Sequence, residues 1–358
     1  MFVSHRGIGL CCINSEKQKD VLPSEFWKGK FRAEALEKMY AGAHVKGCQD
    51  CYKSESNGLN SMRTFANLYN YLPIKDSPTH LDLDFSNFCN LKCVMCSASR
   101  SSEWAKDIGQ PVSGISTAMI DDLAEISDNV QRIVIQGGEP TIMPEFDYYF
   151  SLLDQKGLTK NIELMMITNA TNVNKRFYRL IGKFKKVRLT VSVDAYQYAN
   201  DYIRWPSNFS NIEKNLLKMS ELAPNIEVEI FNTINILSMF NYYEFLGWCK
   251  KIEKVFESKG KIFKIVPMKV ETPETFSPFC ATKNLKDKFI DDVKSFMDEN
   301  DLNHNTNWKT EMGLIMKRMA SAPVNDDALD LLRSTVHNLD KQRNVKIIDY
   351  IPNFYHYL

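Results

Sequence analysis

The chain has 358 residues, enough for one large domain with appendages or for two domains. Apolar residues make up 44% and charged residues 25%, a globular composition that excludes wholesale disorder. The 45 basic side chains are balanced by 44 acidic ones, and a net charge of +1 gives no electrostatic case for a nucleic-acid partner. No uninterrupted apolar run approaches the ~20 residues of a membrane span, and the opening "MFVSHRGIGLCC" is too short and polar for a signal peptide. The expected location is therefore cytoplasmic, with no membrane partner.

Residues 1–75 read as a separate segment with a helix over 33–42, ended by Gly42 as a C-cap. From about residue 80, strands and helices alternate. Strands are predicted over 81–86, 132–136, 162–168, 187–194, 226–234 and 261–270. Helices fall over 116–128, 145–156, 173–184, 208–222 and 240–257, the last with Tyr243, Leu246, Cys249 and Val255 near one apolar face. Strand–helix alternation implies a parallel sheet with helices outside, and six units are too few for a closed eightfold barrel. The expected fold is α/β, a partial (β/α)6 TIM-like barrel over 76–283. A C-terminal helical extension, 284–358, should supply two or three amphipathic helices over 284–342, and the tail "VKIIDYIPNFYHYL" is apolar enough to dock. In such folds ligands gather at the carboxyl ends of the strands. Cys89, Gly137, Asn169 and Asp194 all lie at such ends.

Nine cysteines in a reducing compartment point to metal ligands or catalysts more than to disulfides, and the odd count agrees. Seven fall within the first 96 residues. The trio in "CNLKCVMC", Cys89, Cys93 and Cys96, follows the first predicted strand. Thiolates hold iron–sulfur centres, and three of them leave one iron of a four-iron cluster without a protein ligand. A structural zinc site needs a fourth ligand; the nearest histidine, His80, precedes the strand.

This stretch resembles the radical S-adenosylmethionine (SAM) superfamily, whose signature is Cys-x3-Cys-x2-Cys in this place. The resemblance implies a [4Fe–4S] cluster whose open iron binds SAM, reductive cleavage to a 5′-deoxyadenosyl radical, and hydrogen abstraction from a substrate. Met95 stands where many relatives carry an aromatic residue. "GGEP" resembles the motif that receives the methionine amino group, through Gly137, Gly138 and Glu139. "TNA" resembles Thr-Asn-Gly, with Asn169 in place and Ala170 replacing glycine. "SVDA" resembles the segment that contacts the SAM ribose, through Ser192 and Asp194. Arg204 resembles an arginine that pairs with the SAM carboxylate, for which a planar guanidinium is suited. The matches span roughly residues 80–270.

The N-terminal cysteines form a second constellation. Gly7, Cys12, Trp27, a helix and Cys48-x2-Cys51 resemble the auxiliary-cluster region of SPASM and twitch enzymes, placed here before the barrel. The resemblance implies an auxiliary iron–sulfur cluster on Cys12, Cys48 and Cys51, with Cys11 or Cys280 as a further ligand. A reductant such as flavodoxin or ferredoxin is the implied partner, and the substrate is a peptide or a small molecule. Alternatives are a non-catalytic SAM and iron–sulfur binding protein, or a zinc-binding α/β protein. Cys249 reads as core. No catalytic acid or base stands out; Cys249, Tyr196 and Tyr198 are candidates for inspection.

Overall fold

The computed structural model describes residues 1–56, 61–66, 72–73, 75–173, 175–300 and 306–358. Eight strands follow one another in a single sheet in the order β2-β1-β3-β4-β5-β6-β7-β8. They are β1 Phe2–Ser4, β2 Gly7–Gly9, β3 His80–Asp84, β4 Arg132–Ile135, β5 Glu163–Thr168, β6 Lys186–Ser192, β7 Ile226–Ile234 and β8 Phe263–Lys269. The last six are the predicted strands, each within two residues of its expected ends, and helices intervene as a partial β/α barrel requires. The chain divides into two compact units.

The first unit comprises Met1–Cys89, Ala98–Met166 and Asn174–Val187. Here β1 runs parallel to β3, with Phe2 opposite Asp82, and β3 is parallel to β4. The N-terminal strands, unexpected from sequence, form a hairpin, with Ser4 opposite Gly7 across the turn. Three-residue strands are too short to show alternation. The Ser4 hydroxyl donates to the Gly7 carbonyl at 2.8 Å and accepts from the Arg6 amide, which holds that turn. The hairpin carries Arg6 to 2.6 Å from the buried Asp84 carboxylate at the end of β3. The N-terminal 75 residues thus share a unit with β3. Ser24 adds to this by donating through its amide and hydroxyl to Asp122, both at 2.7 Å. Under the sheet, Phe85 stacks on Phe146 at 4.6 Å and meets Tyr149 edge-on, whose hydroxyl bonds Ser127 at 2.8 Å.

The second unit comprises Asn90–Ser97, Ile167–Val173 and Arg188–Leu358. Strands β7 and β8 pair in parallel over seven residues, Val228–Ile234 against Phe263–Lys269. Helix Tyr242–Ser258 buries Tyr242, Phe245, Cys249, Ile252 and Phe256. Of the expected stripe, Leu246 and Cys249 are buried, whereas Tyr243 and Val255 are only half-buried, and Tyr242, Phe245, Ile252 and Phe256 add to the buried face. The C-terminal extension supplies helices Lys283–Glu299, Thr306–Ser321 and Asp326–Arg343. Within the predicted stretches, residue 174 and residues 301–305 lie outside the described residues. The tail docks as expected, with Ile347, Ile351 and Phe354 buried. Gly42 takes φ +70 just past helix Lys30–Tyr40, the backbone a C-terminal glycine provides. Among the described residues no helix is long and apolar enough to cross a membrane.

Phe85 is fully buried between aromatic rings. Phe85→Ala should cost about 3–5 kcal/mol of unfolding free energy, read as a lower urea midpoint; an unchanged midpoint would contradict this packing.

Candidate functional site

In the first unit the chain leaves β3 through Phe85-Ser86-Asn87-Phe88 and reaches Cys89. The Cys89 amide donates to the Ser102 hydroxyl at 3.1 Å, and that hydroxyl donates back to the Cys89 carbonyl at 3.0 Å. One side chain therefore satisfies both main-chain groups of a buried residue, as burial demands. Asn87 fixes the same turn, donating to the Ala98 carbonyl at 2.9 Å and accepting from the Ser113 amide at 2.8 Å. Neither Ser102 nor Asn87 was singled out from sequence; small polar residues around a cysteine loop are the signal, and a weak one.

The two glycines of "GGEP" are demanded by separate constraints. Gly137 has φ +122, and a Cβ there would come 2.5 Å from the Asp84 carboxylate. Gly138 takes an ordinary φ, but its Cβ would lie 2.1 Å from the Phe88 carbonyl oxygen. Contact at that range is what glycine permits. The Gly138 amide donates to the Ser86 carbonyl at 3.1 Å and the Glu139 amide to the Phe88 carbonyl at 2.8 Å. The motif is thus bonded along the segment that leads into Cys89. Glu139 is buried and caps the turn that follows: its Oε1 accepts from the Thr141 amide at 3.1 Å and hydroxyl at 2.7 Å.

The second unit holds Cys93 and Cys96. The Lys92 amide donates to the Trp205 carbonyl at 2.5 Å, the Val94 amide to the Ile203 carbonyl at 2.8 Å, and the Cys96 amide to the Cys93 carbonyl at 3.0 Å. Burial pushes the Cys93 thiol up to about 11; nearby Arg204 and Arg343 pull the other way, and Cys96 and Asp194 push with burial. Cys96, Arg204 and Asp194 thus all act electrostatically on Cys93. Asp194 is fully buried, and its carboxylate accepts from Arg204 Nη1 at 2.8 Å and from the Thr233 amide at 3.0 Å. Its own amide donates to Asn200, and its carbonyl accepts from Asn232, which in turn accepts from the Tyr242 hydroxyl. The structure joins Arg204 and Asp194 to one another. Ser192 is buried at the end of β6.

Asn169 ties the end of β5 to the cysteine loop. Its Nδ2 donates to Asn90 at 3.0 Å, and its Oδ1 accepts from the Thr171 amide at 3.0 Å and hydroxyl at 2.7 Å. Ala170, which stands where the resembling motif has glycine, takes φ +53. An L-residue in that left-handed region costs ~1–2 kcal/mol, so the backbone glycine favours is kept with alanine in place.

In the first unit again, Cys11, Cys48 and Cys51 line one cavity of about 390 Å³ together with Asn14, Asp50 and Arg63. Burial pushes the Cys48 thiol up, and its sulfur accepts from Asn14 Nδ2 at 3.3 Å. Cys12, the expected ligand, is absent from that lining. Burial first, and then the Asp82 carboxylate it bonds, push its thiol up to about 12. The chain bends at Cys11 and turns at Cys12 and Ile13, and the cysteine that shares the cavity is Cys11. Cys280, in the second unit, is buried with its sulfur 3.7 Å from Glu274. Cys249 is core, its thiol raised by burial and by Glu253. Tyr196 is bonded by Gln197, and Tyr198 is exposed.

Among the described residues, no group of three or more His, Cys, Asp or Glu side chains is arranged to hold a metal ion. Thiolates are the ligands of iron–sulfur centres, and in the second unit Cys93 and Cys96 stand one turn apart, the Cys96 amide donating to the Cys93 carbonyl, a donor set whose chemistry suits such a centre. His80 does not complete a zinc site: it begins the strand whose far end leads to Cys89, and burial lowers it to about 3.

The sequence profile described as the Radical SAM superfamily matches residues 83–276. The mycofactocin maturase MftC of Mycobacterium ulcerans (strain Agy99) is 28% identical over 138 residues, 38% of this chain and 34% of its own. The chain thus spans about a third of that relative's length. Among solved structures, native anSMEcpe with bound AdoMet aligns with 19% identity and TM-score 0.43, over 62% of this chain and 61% of its own. Streptococcus suis SuiB bound to S-adenosylmethionine aligns with 16% identity and TM-score 0.44, over 85% and 70%.

Gly138→Ala should cost about 1–3 kcal/mol, because the Phe88 carbonyl cannot yield without breaking its bond to Glu139. Gly247→Ala, in helix Tyr242–Ser258 with nothing within 4 Å, should instead gain about 0.5–1 kcal/mol. Equal effects in denaturant titrations would contradict the close approach.

Proposed function

The chain belongs to the radical SAM superfamily, and on that premise we propose that it cleaves SAM reductively to abstract hydrogen from a peptide or small-molecule substrate. The observation that carries this is the buried Arg204–Asp194 pair, 2.8 Å apart, in the same unit as Cys93 and Cys96. Cys89, Cys93 and Cys96 would hold a [4Fe–4S] cluster. When bound, that cluster and SAM together supply the hard chemistry, an electron into the sulfonium that yields methionine and a 5′-deoxyadenosyl radical.

The chain's own residues bind, orient and exclude. Gly137, Gly138, Glu139, Asn169, Ser192, Asp194 and Arg204 are assigned to SAM. Asp194, fixed by Thr233, Asn200 and Asn232, holds the Arg204 guanidinium in one orientation. A planar donor fork suits a carboxylate. Gly137 and Gly138 keep side chains out of the turn beside the Cys89 segment. The docked C-terminal tail buries Ile351 and Phe354, adding apolar cover that excludes water.

Two finer assignments belong to the same reading. Cys11, Cys48 and Cys51, which share a cavity, hold an auxiliary iron–sulfur cluster, with Cys12 turned to Asp82. A small electron carrier, flavodoxin or ferredoxin, serves as reductant.

Protein reconstituted with iron and sulfide without oxygen should acquire the broad visible absorbance of an iron–sulfur protein and form 5′-deoxyadenosine from SAM under reductant. Cys89, Cys93 and Cys96 changed together to alanine should abolish that product. Full retention of cleavage, or zinc bound without iron and sulfide, would overturn the assignment.

A further inference from the structure

Helix Asp326–Arg343 ends on a buried arginine. Arg343 is 8% exposed. Its Nη1 donates to the Tyr202 carbonyl at 2.7 Å and its Nη2 to the Lys92 carbonyl at 2.9 Å. The guanidinium lies over the rings of Tyr202 and Trp205, at 5.1 and 5.5 Å from their centres. Its Nε is buried without an acceptor. All these partners are neutral, and among the described residues no carboxylate stands at ion-pair distance from it.

Asp340, one turn earlier, is engaged by the Tyr202 hydroxyl at 2.8 Å and the Ile347 amide at 2.9 Å. The carbonyl end of the helix offers only a fraction of a negative charge. Burial lowers the guanidinium to about 10, which leaves it protonated at neutral pH. Asp340 acts on the guanidinium electrostatically without bonding it, and a buried cation bonded only to neutral groups is costly, so this arrangement favours a further anion.

The place where that anion belongs is set by Lys92, the residue before Cys93, whose carbonyl Arg343 holds. A second arginine of the same unit, Arg204, already has Asp194 at 2.8 Å. Arg343 has no such partner.

We propose that Arg343 is a positioning residue whose buried cation is the counter-charge of the thiolate-ligated cluster at Cys93, fixing the cysteine loop through Lys92 and raising the cluster's reduction potential. The inference rests on the functional reading above. Reduction adds an electron to the cluster, and a nearby cation in a poorly screened interior favours the more negative state. The residue lies beyond the matched 83–276, so the C-terminal extension supplies it.

Redox titration of the reconstituted chain, followed by electron paramagnetic resonance, tests this. Arg343→Gln should disfavour reduction about tenfold, a midpoint more negative by ~59 mV for a one-electron couple, and Arg343→Lys should return most of the shift. Circular dichroism checks each fold; if Arg343→Gln does not fold, Arg343→Met removes the same charge without adding a polar group. A loaded, folded neutral variant with an unchanged midpoint overturns the proposal. Wild-type chain that takes up no cluster overturns the functional reading and this inference together, and the two failures are told apart by iron content.

Discussion

Main-chain hydrogen bonding of the segment after β3 is the constraint on which the site depends. Residues 86–94 leave a strand and are largely buried, so their amides and carbonyls must find partners away from a regular ladder. In the first unit they do so through Gly138, Glu139 and the Ser102 hydroxyl. In the second, they do so through Ile203, Trp205 and Arg343. Each partner is at a strand end, after a short helix or at a helix terminus, which is why the motifs recur there. The glycines follow from the same demand, since a side chain at 138 would occupy the Phe88 carbonyl.

The charge arrangement around Cys93 extends this picture. A buried pair, Arg204 with Asp194, is complete in itself and is fixed by an asparagine network that continues to Tyr242. The second cation, Arg343, is bonded only to neutral groups. Arg204, which follows β6, and Arg343, from the C-terminal extension, both favour the charged form of the Cys93 thiol against the effect of burial.

Much of this was legible in the amino-acid order because the signals are local. Strands β3 to β8 carry β-branched and apolar runs long enough to register, and the trio and "GGEP" are contiguous. What escaped notice is short or distant. The β1–β2 hairpin offers only three residues per strand. Tyr242 is buried and its neighbour Tyr243 half-buried, a difference of one position that an apolar stripe with tyrosines on both does not resolve. That Cys11, and not Cys12, lines the cavity with Cys48 and Cys51 depends on a bend and turn at residues 11–13 that adjacent cysteines do not signal. Arg343 is 250 residues from Cys93 in the chain, and no spacing rule connects them. Ala170 went the other way: a substitution at a glycine position kept the left-handed backbone and left the turn intact.

In the function proposed above, three thiolates hold a cluster whose remaining iron is reserved for SAM. Mössbauer spectroscopy of iron-57 reconstituted protein, with and without SAM, addresses it most directly. One iron site of the cluster should change its isomer shift and quadrupole splitting when SAM is added while the others stay as they were. Spectra that SAM leaves unaltered at every iron would contradict the claim.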